Sequence, residues 1–212
     1  MKKINEDRLL SWIYGLSAAI VAVMGVIAYL HHTTFVIDAS FGILIMSLAY
    51  YYRSKLIFSW EGALFSCLGF ISNTAGAVGI YELSYKGAGW DKMLHVISTI
   101  GISMLAYSFL ATKNKSEKRK FFSTLGLIII TLLIVHGIGA VNEITEFIGS
   151  RYLGIAQGMF GMTNGLNPPN SDFERYDIQW DMIANLIGTI IGITYIVIKS
   201  KFVNQKKPKA LA

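Results

Sequence analysis

The sequence predicts an all-α membrane protein with six transmembrane helices and both termini in the cytoplasm. Three observations support this fold class. The 212 residues are 53% hydrophobic and only 15% charged, a composition too apolar for a typical soluble domain. Several apolar runs approach or exceed the roughly 20 residues that a helix needs to cross a bilayer. The basic residues lie in short runs beside these segments, as topology signals do.

The chain forms one membrane domain, residues 1–212, in which charged, aromatic or glycine-containing sequence bounds each apolar run. The six predicted spans cover residues 9–30, 34–51, 56–81, 90–110, 121–147 and 178–198. We expect a loop in the polar segment ELSYKGAG that follows Tyr81, because it contains glycine and charged residues. The segment from Gly149 to Arg175 is rich in Gly, Asn and Pro, and we expect it to form a lid or a re-entrant loop.

Charge and cysteine content narrow the classes of function. The formal net charge is +6, but the basic residues flank apolar segments rather than form one binding face, so we expect no nucleic-acid partner. The expected partner is the lipid bilayer. The single cysteine, Cys67, excludes an intrachain disulfide and a CxxC motif, and we expect it in the core.

The orientation follows from the positions of the Lys and Arg residues. With the amino terminus inside the cell, fifteen of the 19 basic residues lie in cytoplasmic segments. This is the asymmetry that the positive-inside rule describes. Asp38, near the outer end of the second span, and Glu61, near the inner end of the third, are expected to reach the membrane interface.

Ionisable residues recur at the outer ends of the last three spans. They lie in the segments WDKMLH, NEITEF and YDIQWDMIANLIG, and they are Asp91, His95, Glu143, Glu146, Asp177 and Asp181. Spacings of three and four residues place the members of each segment on one face of a helix. Such residues are costly inside a membrane and indicate a functional site. Carboxylates close together in a partly dry pocket must hold protons, hold a cation or open to water.

A divalent metal ion of unknown identity is the cofactor that this composition favours, because carboxylate and imidazole groups are its usual ligands. The expected ligands are His95, Glu143, Glu146 and Asp181, and the expected catalytic carboxylates are Asp91, Glu143 and Asp181. The residues expected around these ligands and carboxylates are Asp177, Asn185 and His136. Of the nearby residues, Asn185 or Asp91 would orient the ligands. Alternatively, the acidic residues flank helix ends at the interface, and Asp181 and His95 pair with each other or with Lys92.

The same segments resemble a known family. The order of WDKMLH, NEITEF, AQGMFG and YDIQWDMIANLIG is similar to that of the YjdF-type inner-membrane proteins of bacteria and, more distantly, of the VanZ-like membrane proteins. The resemblance covers about Trp90 to Gly192. The chain departs from the pattern at Met159, where an acidic residue is more typical, and in a longer insertion up to Tyr176. The YjdF-type family has no settled activity, and VanZ-like proteins are associated with altered susceptibility to lipoglycopeptide antibiotics.

Three functions are compatible with these features. The first is a bacterial inner-membrane protein that binds or modifies a lipid-linked phosphate or sugar head group at an outward-facing acidic site. The second is a proton- or cation-coupled transporter that uses the same carboxylates, with His136 as a deeper step. The third is a non-enzymatic scaffold. The GTIIG segment, which contains Gly188 and Gly192, is expected to form a close helix-packing contact.

Overall fold

The computed structural model describes residues 6–56, 59–82, 84–85, 88–116, 121–153 and 176–205. Within these ranges the chain is helical except for one small β pair and short connecting turns. The long helices are α1 (Glu6–Leu30), α2 (Phe35–Leu56), α3 (Trp60–Thr74), α4 (Trp90–Ser116), α5 (Thr124–Leu153) and α6 (Asp177–Gln205).

Five of these helices, all except α3, are long and apolar enough to cross a membrane. Their outer faces carry large apolar side chains, such as Trp12 of α1, which is 74% exposed, and Leu133 of α5, which is 69% exposed. A bilayer would cover these faces with lipid tails, because contiguous apolar surface of this extent is rare in water. The prediction of a multi-pass, all-α membrane protein is therefore confirmed.

The third predicted span, residues 56–81, differs from a single spanning helix. The α-helix α3 has 15 residues, and the chain continues in two 3₁₀ segments, Ala75–Val78 and Ile80–Glu82. Gly79 separates these segments with a φ of 81°, a left-handed conformation that glycine adopts without steric cost. The apolar run thus continues past the point at which the α-helix ends.

The predicted loop after Tyr81 contains regular structure. Ser84–Tyr85 forms a two-residue strand that pairs antiparallel with Ala88–Gly89, directly before α4 begins at Trp90. The predicted lid at residues 149–175 overlaps the end of α5, which continues to Leu153. Its remaining part, residues 154–175, lies outside the described residues.

The described helices pack as two halves that α3 and α4 join. In the first half, Tyr14, Met46 and Cys67 are among the buried residues that connect α1, α2 and α3. In the second half, Met104 and Ile193 belong to an apolar cluster between α4, α5 and α6. Cys67 is 1% exposed, so its predicted position in the core is confirmed.

Helices α4 and α6 form the most extensive contact. A methyl group on Gly188 would overlap Thr99 Oγ1 and Val96 O, and one on Gly192 would lie 2.6 Å from Ile100 O. The two glycines therefore allow the backbones to approach closely, as expected for small residues four apart in a membrane helix. This confirms the predicted packing role of the GTIIG segment, and it fixes the first turns of α6 beside those of α4.

Candidate functional site

A buried polar cluster lies where α4 and α6 begin and α5 approaches its end. Each helix contributes residues from one face, because the spacings within each are three or four residues. All members are at most 9% exposed, namely Asp91, Lys92, His95, Glu143, Glu146, Asp177, Asp181 and Asn185. The structure therefore brings together every predicted ligand and every predicted catalytic carboxylate. The alternative in which Asp91, Glu143 and Asp177 flank helix ends remains compatible with the positions of Asp91 and Asp177 in the first turns of α4 and α6.

Lys92 is the one lysine in this cluster, and it contacts three carboxylates. Its Nζ lies 3.0 Å from Asp91 Oδ2 and 2.6 Å from Asp181 Oδ1, and it also donates a hydrogen bond to Asp177 Oδ1. The alternative pairing of Asp181 with Lys92 is thus present. Asp177 pairs with Lys92 rather than with a predicted metal ligand. Asp91 and Asp177 also lie in the first turns of their helices, where the helix dipole stabilises negative charge.

His95 lies between carboxylates that belong to all three helices of the cluster. Its Nε2 lies 3.7 Å from Asp91 Oδ1, 3.7 Å from Glu143 Oε1 and 3.6 Å from Asp181 Oδ1. Its Nδ1 lies 3.0 Å from Asn185 Oδ1, an oxygen that can only accept, so a hydrogen bond between these atoms needs the proton on Nδ1. Nε2 then faces three carboxylates, and this arrangement requires a proton or a cation between them.

Several carboxylate oxygens in the cluster lack hydrogen bonds. Asp181 Oδ2 and Glu143 Oε1 are buried and make no hydrogen bond within the described residues, and Asp181 Oδ1, on a side chain that is 0% exposed, has only ionic contacts with Lys92 and His95. Leaving such groups unsatisfied costs about 1–3 kcal/mol each, and more when they are charged. Two trios place their ligand atoms within 4.8 Å of one another, Asp91–His95–Asp181 and His95–Glu143–Glu146. The unpaired oxygens therefore indicate room for a bound cation or for protons.

Sequence reasoning missed Asn142 as part of this site. Its Nδ2 donates a hydrogen bond of 2.6 Å to Glu146 Oε1, one helical turn away, which orients that carboxylate. The spacing of four residues could have revealed the pair. Gly139, one turn earlier, was also missed: a methyl group there would lie 2.6 Å from Asn185 Nδ2. Glycine at this position allows α5 to approach the Asn185 side chain of α6.

Tyr81 lies beside the cluster on the side of α3, in a 3₁₀ segment outside the five candidate spanning helices. Burial, and then the nearby carboxylate of Asp91, raise the pKa of the Tyr81 phenol. The hydroxyl therefore stays protonated, and it donates a hydrogen bond of 2.7 Å to Asn73 Oδ1. This bond ties the 3₁₀ segment to the end of α3 beside the acidic groups.

Three other residues that the sequence singled out are half-buried or buried. His136 is half-buried, and its Nδ1 lies 3.0 Å from Leu132 O of its own helix. Asp38 and Glu61, expected at the interface, are 2% and 5% exposed. Glu61 is buried because it pairs with Lys199 of α6 and accepts a 3.4 Å hydrogen bond from Tyr195. An internal partner replaces the solvation that the interface would have supplied.

A comparison with protein families relates this architecture to known sequences. The model of the family described as "Predicted membrane protein (DUF2238)" matches residues 9–201. The chain belongs to this family. The match extends from α1 to α6, so the predicted membership of a membrane-protein family is confirmed, while the specific likeness to YjdF-type and VanZ-like proteins stays a prediction. No curated protein and no solved structure matches the chain.

Proposed function

We propose that this chain is a multi-pass protein of the bacterial inner membrane that binds or modifies a lipid-linked phosphate or sugar head group at an outward-facing metal site. The orientation rests on charge, because fifteen of the 19 basic residues lie in the sequence segments that the six-span topology assigns to the cytoplasm. The resemblance to YjdF-type inner-membrane proteins supports the bacterial location.

A sixth crossing is part of this proposal. Helix α3, at 1.5 Å per residue, and the 3₁₀ segment Ala75–Val78, at about 2.0 Å per residue, together rise about 30 Å. That length equals the thickness of a typical hydrocarbon core. With six crossings, both termini lie in the cytoplasm and the cluster faces the outer leaflet.

One observation carries the metal site: His95 Nε2 lies 3.6–3.7 Å from carboxylate oxygens of Asp91, Glu143 and Asp181. Bonds of about 2.0–2.2 Å to a tetrahedral ion place two donors about 3.3–3.6 Å apart, close to these separations. Asn185 holds the opposite ring nitrogen of His95, as outer partners of histidine ligands do. Asp181 Oδ2 and Glu143 Oε1, which make no hydrogen bond within the described residues, are suitable ligands.

The proposed substrate class follows from the charge of the cluster. Five carboxylates face one lysine, so a phosphate or an electron-rich sugar oxygen would be repelled unless a cation lay between them. A divalent ion would polarise the head group or activate water. His95, Glu143, Glu146 and Asp181 would hold the ion. Asp91 belongs to one of the two possible ligand trios, and it would serve either as a further ligand or as a proton acceptor.

The first test is the metal content of detergent-purified protein by elemental analysis. We expect about one divalent ion per chain in the wild type and a loss of most of it in Asp181→Ala and in Glu143→Ala, because each substitution removes a proposed ligand. Glu6→Ala is the matched control, since Glu6 is an exposed carboxylate at the opposite end of the molecule. It should retain the wild-type content.

Thermal unfolding of each variant shows whether a loss of metal reflects a loss of fold. If an alanine variant unfolds, Asp181→Asn and Glu143→Gln preserve side-chain volume and take its place. A wild-type protein that contains no metal after purification in metal-supplemented buffer would contradict the proposal. A proton or cation relay through the same carboxylates would then be tested by ion flux in liposomes, whereas a scaffold would show neither metal nor flux.

A further inference from the structure

An elongated cavity extends from the polar cluster into the apolar part of the bundle. Its volume is about 550 Å³, within the range of roughly 300–1,000 Å³ of small-molecule sites. Along α4 its lining runs from Asp91 to Leu105, a distance of about 21 Å at 1.5 Å per residue. The lining therefore extends over about four turns of α4.

The two ends of this cavity differ in chemistry. At one end the lining includes Asp91, His95 and Glu146 of the polar cluster. Further along, the lining is formed mainly by apolar side chains, such as Met46 and Leu105. A cavity with one polar end and one apolar end can bind an amphiphile whose polar head lies at His95. Water is a poor occupant of the apolar part, because it needs two to four polar partners.

The cavity opens toward the lipid-facing surface between α2 and α5. Ile138 and Val141 of α5 both line it and are 47% and 60% exposed, and Phe41 of α2 lines it and is 37% exposed. Helix α5 packs chiefly on α4 and α6 rather than on α2. The mouth therefore lies at a gap between two apolar helices, where the surrounding medium is hydrocarbon.

We propose that this cavity binds one hydrocarbon chain of a membrane lipid, which enters between α2 and α5 and places its phosphate-bearing head against His95. This inference rests on the proposed function and narrows its substrate class to lipids whose chain lies inside the bundle. An empty cavity of this size would forfeit the dispersion contacts of its lining. A chain from the adjacent leaflet restores them without crossing water.

The probe for the test is a long-chain alkyl phosphate with a diazirine near the middle of its chain, added to the metal-supplemented, detergent-purified protein. After irradiation, peptide mass spectrometry locates the cross-links. We expect them on the cavity lining of α2 and α5, at residues such as Met46 and Val135. Cross-links confined to lipid-facing residues outside the cavity, such as Leu48 and Leu133, would overturn the inference.

Two variants that fill the cavity should reduce this labelling. Ile138→Trp narrows the mouth, and Ala49→Phe fills the part that lies far from His95. Each new ring would occupy space that the hydrocarbon chain needs, so we expect labelling of the lining to fall about tenfold in each variant. Ile134→Trp is the matched control, because Ile134 lies one turn from Ile138 on α5 and is similarly exposed, at 40%, but does not line the cavity.

Metal content measured on the same samples separates this inference from the proposed function. Ile138→Trp and Ala49→Phe should keep the wild-type metal content, because neither residue belongs to the polar cluster. Labelling inside the cavity of a metal-free protein would sustain the cavity inference while contradicting the metal site. Metal binding together with labelling that is unchanged in both variants would support the metal site and contradict the cavity inference. Thermal unfolding confirms that each variant is folded.

Discussion

Lys92 lies between carboxylates that belong to two different helices. Asp91 precedes it on α4, and Asp177 and Asp181 reach it from α6. A buried charge that loses its partner destabilises a protein by about 3–5 kcal/mol, whereas a complete buried pair contributes little net stability. Lys92 therefore matters because its removal would leave three carboxylates without a counter-charge.

We predict that Lys92→Met lowers the free energy of unfolding of the metal-free protein by about 3 kcal/mol or more. Thermal unfolding in detergent with a chelator measures this change. A divalent cation added afterwards should restore part of the loss, since it supplies positive charge to the same carboxylates. Lys113→Met is the control, because Lys113 is an exposed residue of the same helix. Equal effects of the two substitutions would refute the role of Lys92.

The residues of the cluster and the pairing of Asp181 with Lys92 were predictable, but the contact between Asn185 and His95 was not. Helical spacing identified Asp91 and His95 on one face of α4 and Asp181 and Asn185 on one face of α6. It could not reveal that Asn185 bonds to His95 Nδ1, since that contact depends on the distance and rotation between two helices. The sequence shows which residues share one face of a helix, whereas the packing of the helices determines which side chains are in contact.

At the scale of helices, the contact between α4 and α6 determines the geometry of the cluster. Gly192 lies against the backbone of α4, where a methyl group would approach Ile100 O to 2.6 Å. Gly137, on α5, has open space at the corresponding position. The two glycines therefore form a matched pair for testing whether helix proximity stabilises the fold.

Gly192→Ala is predicted to lower the free energy of unfolding by about 1–3 kcal/mol, because the α4 and α6 backbones must separate. Gly137→Ala should leave it unchanged or raise it slightly, since alanine favours a helix more than glycine does. Thermal unfolding of the two variants in the same detergent measures the difference. An equal effect at both positions would show that the close contact is not a source of stability.

Helix α3 shows where hydropathy fails as a guide to structure. Residues 75–80 are apolar apart from their glycines, so a hydropathy pattern continues the span through them. The α-helix nevertheless ends at Thr74. Gly76 lies against the Phe35 and Tyr81 rings, too close for a methyl group. This tertiary contact of the 3₁₀ segment has no signature in the periodicity of the segment itself.

For the whole molecule, the orientation in the membrane is open to direct measurement. Cys67 is the single cysteine and is buried, so a new surface cysteine can be labelled selectively. We predict that His31→Cys reacts with a membrane-impermeant maleimide in spheroplasts. Lys115→Cys should react only after the membrane is permeabilised, because the positive-inside rule places that end of α4 in the cytoplasm. Both positions are exposed, and the reverse pattern would contradict the proposed topology.

The all-α fold class could be predicted from composition together with the long apolar runs, because apolar runs of about 20 residues cross lipid as helices. The common end of the acidic residues could also be predicted, since consecutive helices that alternate in direction bring the starts of α4 and α6 to the same side as the end of α5. The cavity could not. The cavity arises because α5 packs on α4 and α6 rather than on α2. This packing depends on side-chain fit, which the periodicity of a single sequence does not encode.

The position of the acidic cluster in chain order also governs how the protein is made. During synthesis, α4 enters the membrane with Asp91 and Lys92 already adjacent, so it carries its own neutralising pair. Asp181 arrives only with the final helix. A nascent chain that stops before α6 therefore lacks Asp177 and Asp181, the two carboxylates through which α6 contacts Lys92. The entry of α6 into the membrane completes the set of charges around Lys92.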